Sequence, residues 1–138
     1  MSQRTFDMSH VVAFEETNLV GNVYFTKYFS WQGRCRELFL REHAPDVLAE
    51  LQSGVLRLVT AHASCDYVDE FLAFDDIVVR LSLNRFLAYG VSLNFEFCRA
   101  GETLARGRQD IKFLRRRGER WELADLPDSL MEVVRHYE

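Results

Sequence analysis

The sequence predicts an α+β fold in which a curved antiparallel sheet of about five strands wraps around one long helix. Three observations carry this. A segment with apolar residues at helical spacing follows the first strand-like stretch. From Leu56 onward the period of the apolar residues changes to two. Gly90, Gly101 and Gly118 then punctuate the alternating runs as hairpin turns. There is no internal repeat, low-complexity tract or Gly/Ser linker, so residues 1–138 are expected to form a single domain.

Each element has its own signal. Thr5 to Phe14 alternates loosely, carries Val11 and Val12, and reads as a strand. Glu15 to Gly21 is polar, ends on glycine and reads as a turn. Asn22 to Glu42 is the longest expected helix, with Asn22 as its N-cap. Tyr24, Tyr28, Gln32, Cys35 and Phe39 recur there at spacings of three or four, flanked by Phe25, Phe29, Trp31 and Leu38. So broad an apolar surface needs cover on most sides, and a sheet curled around the helix supplies it. Gly33 in mid-helix costs about 1 kcal/mol against Ala, and close approach by a neighbouring backbone is the expected compensation. Pro45 to Gln52 reads as a short helix with proline in its first turn and Gly54 just past its end.

Leu56 to Asp66 reads as a strand with Val59, Ala61, Ala63 and Cys65 on one face. In the next run Ile77, Val79, Leu81 and Leu83 alternate with Val78, Arg80, Ser82 and Asn84, followed by Val91, Leu93, Phe95 and Phe97. Leu104 to Arg115 continues with Gln109, Ile111 and Phe113 on one face, and Arg120 to Leu123 adds a short last strand. Asp125-Leu126-Pro127 opens a C-terminal helix with Leu126, Leu130, Val134 and Tyr137 on one side.

Composition narrows the function classes. The chain is 48% hydrophobic and 28% charged, as in soluble globular proteins, which excludes a disordered tail or a collagen-like repeat. A net charge of -4 argues against a strongly basic nucleic-acid binder. Cys35, Cys65 and Cys98 form no CxxC pair, which fits neither a zinc site nor a disulfide framework. His10, His43, His62 and His136 are scattered, so no metal site is expected. MSQRTFDMSH lacks an apolar signal-peptide core, and no apolar run is long enough to span a membrane. A cytoplasmic location with reduced thiols is the expectation.

The run from Glu16 to Phe29, ETNLVGNVYFTKYF, carries the chemistry. Gly21, Val23, Tyr24, Tyr28 and Trp31 fall on a pattern that resembles the front of the 4-hydroxybenzoyl-CoA thioesterase branch of the hotdog superfamily. The element order extends that resemblance over nearly the whole chain. Asn18 stands where that branch has a catalytic Asp, and Phe25 where many members have His, so both usual acid/base groups are missing. The stretch FEETNLVGNVYFTKYFSWQGRCRELFL is also similar to the thioesterases of enediyne polyketide pathways, in which Asn stands at the Asp position and an Arg on the long helix is the other important polar group. By position those residues are Asn18 and Arg36.

The resemblance implies hydrolysis of a polyunsaturated, often β-keto, chain from the acyl carrier protein region of an iterative polyketide synthase. Loss of CO2 from the released acid can follow. It implies no cofactor, and a homodimer or dimer-of-dimers tetramer. An acyl-CoA thioesterase on a smaller substrate and a non-catalytic acyl-binding module are the alternatives. On the first reading, backbone N–H groups near Val23 and Tyr24 are the expected oxyanion donors at a helix start. Asn18 would orient water or bind the carbonyl, and Arg36 would bind a β-keto oxygen or the forming carboxylate. Glu37 is the one nearby carboxylate that would serve as a base, its plain alternative being an ion pair. Gly21, Phe25, Tyr28 and Phe29 are expected at the substrate, and Phe39, Phe71 and Phe74 are further candidates for an acyl channel.

Plain alternatives stand beside these roles. Asn18 also suits a turn, Arg36 a solvated helix face, Tyr24 and Tyr28 the core, and Cys35 a buried inert thiol. Arg115-Arg116-Arg117 with Arg120 reads as a hairpin tip or as a landing patch for an acidic carrier. Fourteen residues of continuous helix from Asn22 to Arg36 would span roughly 21 Å. Arg36 is therefore expected to meet Asn18 of a second protomer.

Overall fold

The computed structural model describes residues 3–138. Strand β1 (Phe6–Val11) leads through a 3-10 turn (Phe14–Glu16) to helix α1 (Lys27–His43) and helix α2 (Pro45–Ser53). Strands β2 (Leu56–Tyr67), β3 (Asp76–Leu87), β4 (Gly90–Arg99), β5 (Glu102–Arg117) and β6 (Arg120–Ala124) follow, and helix α3 (Asp128–Arg135) closes the chain. Five strands form one antiparallel path in the order β1-β3-β4-β5-β2, and short β6 pairs with the end of β5. The sheet curls around α1, which is the hotdog arrangement.

Alternation explains the sheet's inner face. Ile77, Val79, Leu81 and Leu83 of β3 are buried, as are Val91, Leu93, Phe95 and Phe97 of β4. Helix α1 buries Tyr28, Trp31, Gln32, Cys35, Phe39 and Leu40 against them. Fully burying a large apolar side chain contributes about 1.5–3 kcal/mol, so the Trp31, Phe71 and Phe97 cluster is a major source of stability. The C-terminal stripe of Leu126, Leu130, Val134 and Tyr137 is buried as expected. Gly54 ends α2 in the left-handed region at φ 84. No helix among the described residues is long and apolar enough to cross a membrane.

Four expectations are corrected. Helix α1 begins at Lys27 and not at Asn22. Thr17 bridges Val23 and Asn22 bridges Leu72, so residues 22 and 23 are held extended before the helix can start. Asn22 does not cap it, because its side-chain amide donates to Glu70 at 2.9 Å. No backbone approaches Gly33 closely, since an added Cβ would meet nothing within 4 Å. On β2 a bulge between Thr60 and His62 breaks the predicted face. Directly paired residues share a face, so Thr60, Ala63 and Cys65 lie with Ile111, Gln109 and Gly107, while Val59 lies on the opposite face.

Candidate active site

The segment between β1 and α1 is built around Glu16. Its carboxylate accepts from the Ala13 N–H at 2.8 Å, the Trp31 indole N–H at 2.6 Å and His10 Nε2 at 2.8 Å. Its main-chain carbonyl accepts the Tyr24 N–H at 2.9 Å. Burial pushes the Glu16 carboxyl up, but the bonds from Ala13, His10 and Trp31 outweigh it and hold the group below its ordinary value. One residue thus ties β1, the turn and α1 together.

Asn18 sits on the turn that Glu16 anchors. Its Oδ1 accepts the Val20 N–H at 2.9 Å, and its carbonyl accepts the Gly21 N–H at 3.1 Å. Gly21 takes φ 92, which a side chain rarely adopts. Asn18 therefore does serve the turn, through both of its oxygens. That bond leaves the side-chain NH2 without a partner among the described residues and able to donate.

The expected oxyanion donors move. The Val23 N–H donates to Phe71 O and the Tyr24 N–H to Glu16 O, both at 2.9 Å, so neither is available. The next two amides, Phe25 and Thr26, have no acceptor among the described residues. They stand at the start of α1, where N–H groups are unpaired and the dipole is positive. Their peptide planes are fixed from the carbonyl side. Tyr24 O accepts the Lys27 N–H at 2.9 Å, and Phe25 O accepts the Tyr67 hydroxyl at 2.8 Å. Burial pushes the Tyr67 phenol up to about 12, so it remains a donor at neutral pH.

Arg36 lies on the far half of α1, nine residues and about 14 Å from Lys27. Its Nη1 donates to Gln109 Oε1 at 2.7 Å and approaches Thr60 Oγ1 at 3.4 Å, while Nε is buried with no partner. Burial pulls its pKa below the ordinary value, partly offset by the charge of Glu37. Arg36 makes no ion pair among the described residues, and neither does Glu37, which is exposed. Arg36 also lines a half-open groove of about 670 Å³ between α1, α2 and β2, walled by Leu38, Leu48, Leu51 and Leu58. Arg41 and Arg57 stand along the same groove.

The remaining expected residues separate. Tyr28 is 3% exposed and packs with Trp31, Phe71 and Phe97, so it belongs to the core rather than to an open substrate face. Phe39 and Phe71 are core residues, Phe29 is half-buried, and Tyr24, Phe25 and Phe74 are exposed. Burial pushes the Cys35 thiol up to about 12, as suits an inert sulfur. In the arginine cluster, Arg115 pairs with Glu50 and Arg117 with Glu122, which leaves Arg116 and Arg120 outside those pairs. Glu16, Tyr67 and Gln109 were not singled out by sequence. Only Gln109 left a signal, a lone amide on a face shared with Ile111 and Phe113.

A family profile described as the thioesterase-like superfamily matches residues 12–134. The chain belongs to this superfamily. The thioesterase is similar to the solved dynemicin thioesterase at 40% identity, with 97% of each chain covered and a TM-score of 0.92. Crystal structures of the dynemicin thioesterase reveal induced-fit and allosteric effects upon polyene binding in that protein. A 1,4-dihydroxy-2-naphthoyl-CoA thioesterase from Synechocystis shares the fold at 21% identity, covering 95% and 96% of the two chains, with a TM-score of 0.84. A mutant 4-hydroxybenzoyl CoA thioesterase complexed with 4-hydroxybenzoyl CoA does so at 14% identity, covering 95% and 99%, with a TM-score of 0.83. No curated protein sequence matches the chain. The thioesterase is a thioester hydrolase acting on small-molecule acyl thioesters.

Proposed function

We propose that the thioesterase releases a polyunsaturated β-keto acyl chain, by hydrolysis, from the acyl carrier protein of an iterative enediyne-type polyketide synthase, with loss of CO2 from the freed acid following. The observation that carries this is Arg36, a half-buried cation bonded only to neutral oxygens beside a leucine-walled groove. A ligand that is apolar along its length and oxygen-rich at its reacting end suits that pairing. The likeness to the dynemicin thioesterase supports a polyene.

A thioester is already activated, and its first need is a place for negative charge on the carbonyl oxygen. The Phe25 and Thr26 amides offer it, and one such donor is worth about 3 kcal/mol at the transition state. The Asn18 NH2 donates to the attacking water or to the carbonyl. Water adds to the acyl carbon, the C–S bond breaks, and the proton that water loses ends on the departing thiolate. Arg36 holds the β-oxygen and then the new carboxylate. Glu37 has no assigned step in this sequence.

Within one chain Asn18 and Arg36 share no bond. Leu19 and Val20, beside Asn18, are 106% and 82% exposed, and β2 is a 12-residue edge strand. Both features favour cover by a second copy, with the Asn18 turn of one protomer seated near the Arg36 groove of the other in a homodimer or dimer of dimers. Arg41 and Arg57 beside the groove, with Arg116 and Arg120, suit an acidic carrier in the cytoplasm.

Mass spectrometry of what is released from a loaded polyketide synthase, against matched acyl-CoA substrates, tests the reading. The expected result is a polyene acid or its decarboxylated ketone, with carrier substrates preferred and Arg36→Ala nearly inactive yet folded. Preference for short aromatic acyl-CoA would favour the acyl-CoA reading. Binding without hydrolysis would overturn both.

A further inference from the structure

We propose that Gln109 is a positioning residue that gives Arg36 a neutral partner and so keeps its positive charge available to the acyl ligand. The inference rests on the reading of Arg36 just given and assigns the residue that makes it work.

Two amides are buried where the fold would otherwise be apolar. Gln32 on α1 is 0% exposed and Gln109 on β5 is 4% exposed, the latter sharing its face with buried Ile111 and Phe113. Burying such groups is costly unless they are hydrogen-bonded. Here they form one directed chain. Arg36 donates to Gln109 Oε1 at 2.7 Å, Gln109 Nε2 donates to Gln32 Oε1 at 3.2 Å, and Gln32 Nε2 donates to the Ser64 carbonyl at 3.1 Å. A guanidinium only donates and a carbonyl only accepts, so the two ends dictate how both amides point. The sheet is cleared for the chain at Gly107, where a Cβ would fall 2.0 Å from Gln32 Nε2.

The chain ends on a cation and supplies it with no negative charge. Arg80, Arg99, Arg108, Arg115 and Arg117 each stand within ion-pair distance of a carboxylate, whereas both partners of Arg36 are neutral. A carboxylate at position 109 would fit the same space and satisfy the guanidinium more strongly. It would also cancel the charge inside the protein. The amide does two things that a carboxylate could not do together: it donates to Gln32 Oε1, and it leaves the Arg36 charge uncancelled.

The test compares wild type with Gln109→Glu, Gln109→Met and Thr60→Asp, each checked for folding by thermal melt. The readouts are thioester turnover and competitive inhibition by decanoate. Gln109→Glu is expected to lose about tenfold or more in decanoate affinity and a similar factor in kcat/KM. Gln109→Met frees the guanidinium without neutralising it and is expected to keep decanoate binding within about threefold. Thr60→Asp places a carboxylate beside Arg36 from the exposed rim, leaves the amide chain untouched, and is expected to behave like Gln109→Glu. Wild-type inhibition in a folded Gln109→Glu or Thr60→Asp overturns the inference, as does equal loss in Gln109→Met. An Arg36→Ala variant with undiminished turnover and inhibition instead overturns the underlying role of Arg36.

Discussion

The Tyr67 hydroxyl donates to the Phe25 carbonyl at 2.8 Å, linking the end of β2 to the start of α1 across 42 residues. This bond holds the peptide whose N–H belongs to Thr26, one of the two amides proposed to face the oxyanion. Tyr67→Phe removes only the donor. It is expected to lower kcat by about tenfold with KM and melting temperature little changed. Steady-state kinetics beside a thermal melt checks this, and an unaltered kcat would place the oxyanion elsewhere.

Asn18 contributes two separable things: an acceptor for Val20 and an NH2 without a partner among the described residues. Asn18→Asp keeps the first and loses the second, while Asn18→Ala loses both. Asn18→Ala is expected to cost about a hundredfold in kcat, with Asn18→Asp retaining more activity. Wild-type rates in both variants would remove Asn18 from the mechanism.

Glu16 predicts a pH dependence of stability. Its carboxyl is held below the ordinary value of 4.5 in the folded chain. A depressed folded pKa stabilises above the unfolded pKa, and that contribution is lost as pH falls through the folded value. Urea midpoints taken between about pH 3 and 7 are expected to drop on the acid side, and Glu16→Gln to flatten that limb. At neutral pH Glu16→Ala is expected to cost at least about 2 kcal/mol, because the Trp31 and Ala13 N–H groups lose their acceptor.

Gly107→Ala tests the buried amide chain by steric means. The new methyl would collide with Gln32 Nε2. The expected cost is about 1–3 kcal/mol in denaturant melts, with turnover reduced as Gln109 loses its backing. A stable and fully active Gly107→Ala would show that the chain tolerates displacement.

Local pattern carried much of this fold. Strict alternation along Ile77 to Leu83 and the stripe from Leu126 to Tyr137 reflect single elements facing one core, so period alone reveals them. Errors arose where distant partners override local preference. The start of α1 is set by bonds from Val23 to Phe71 and from Tyr24 to Glu16, and nothing near Asn22 in sequence signals either. The bulge after Thr60 puts Ala63 and Cys65 on the same face as Thr60, and no turn residue marks it. Resemblance singles out Asn18 and Arg36 as candidates, whereas Glu16 and Tyr67 look like ordinary surface residues until folding brings them to Trp31 and Phe25.

The sulfur atoms have a practical consequence. Cys35 is sealed at 0% exposure with its thiol near 12, Cys98 is 3% exposed, and burial lifts the Cys65 thiol to about 11. At neutral pH the enzyme therefore presents very little thiolate of its own. A chromogenic disulfide reagent added to the native protein should register liberated CoA or pantetheine with little background. Turnover can then be followed continuously in a cuvette without mutating a single cysteine.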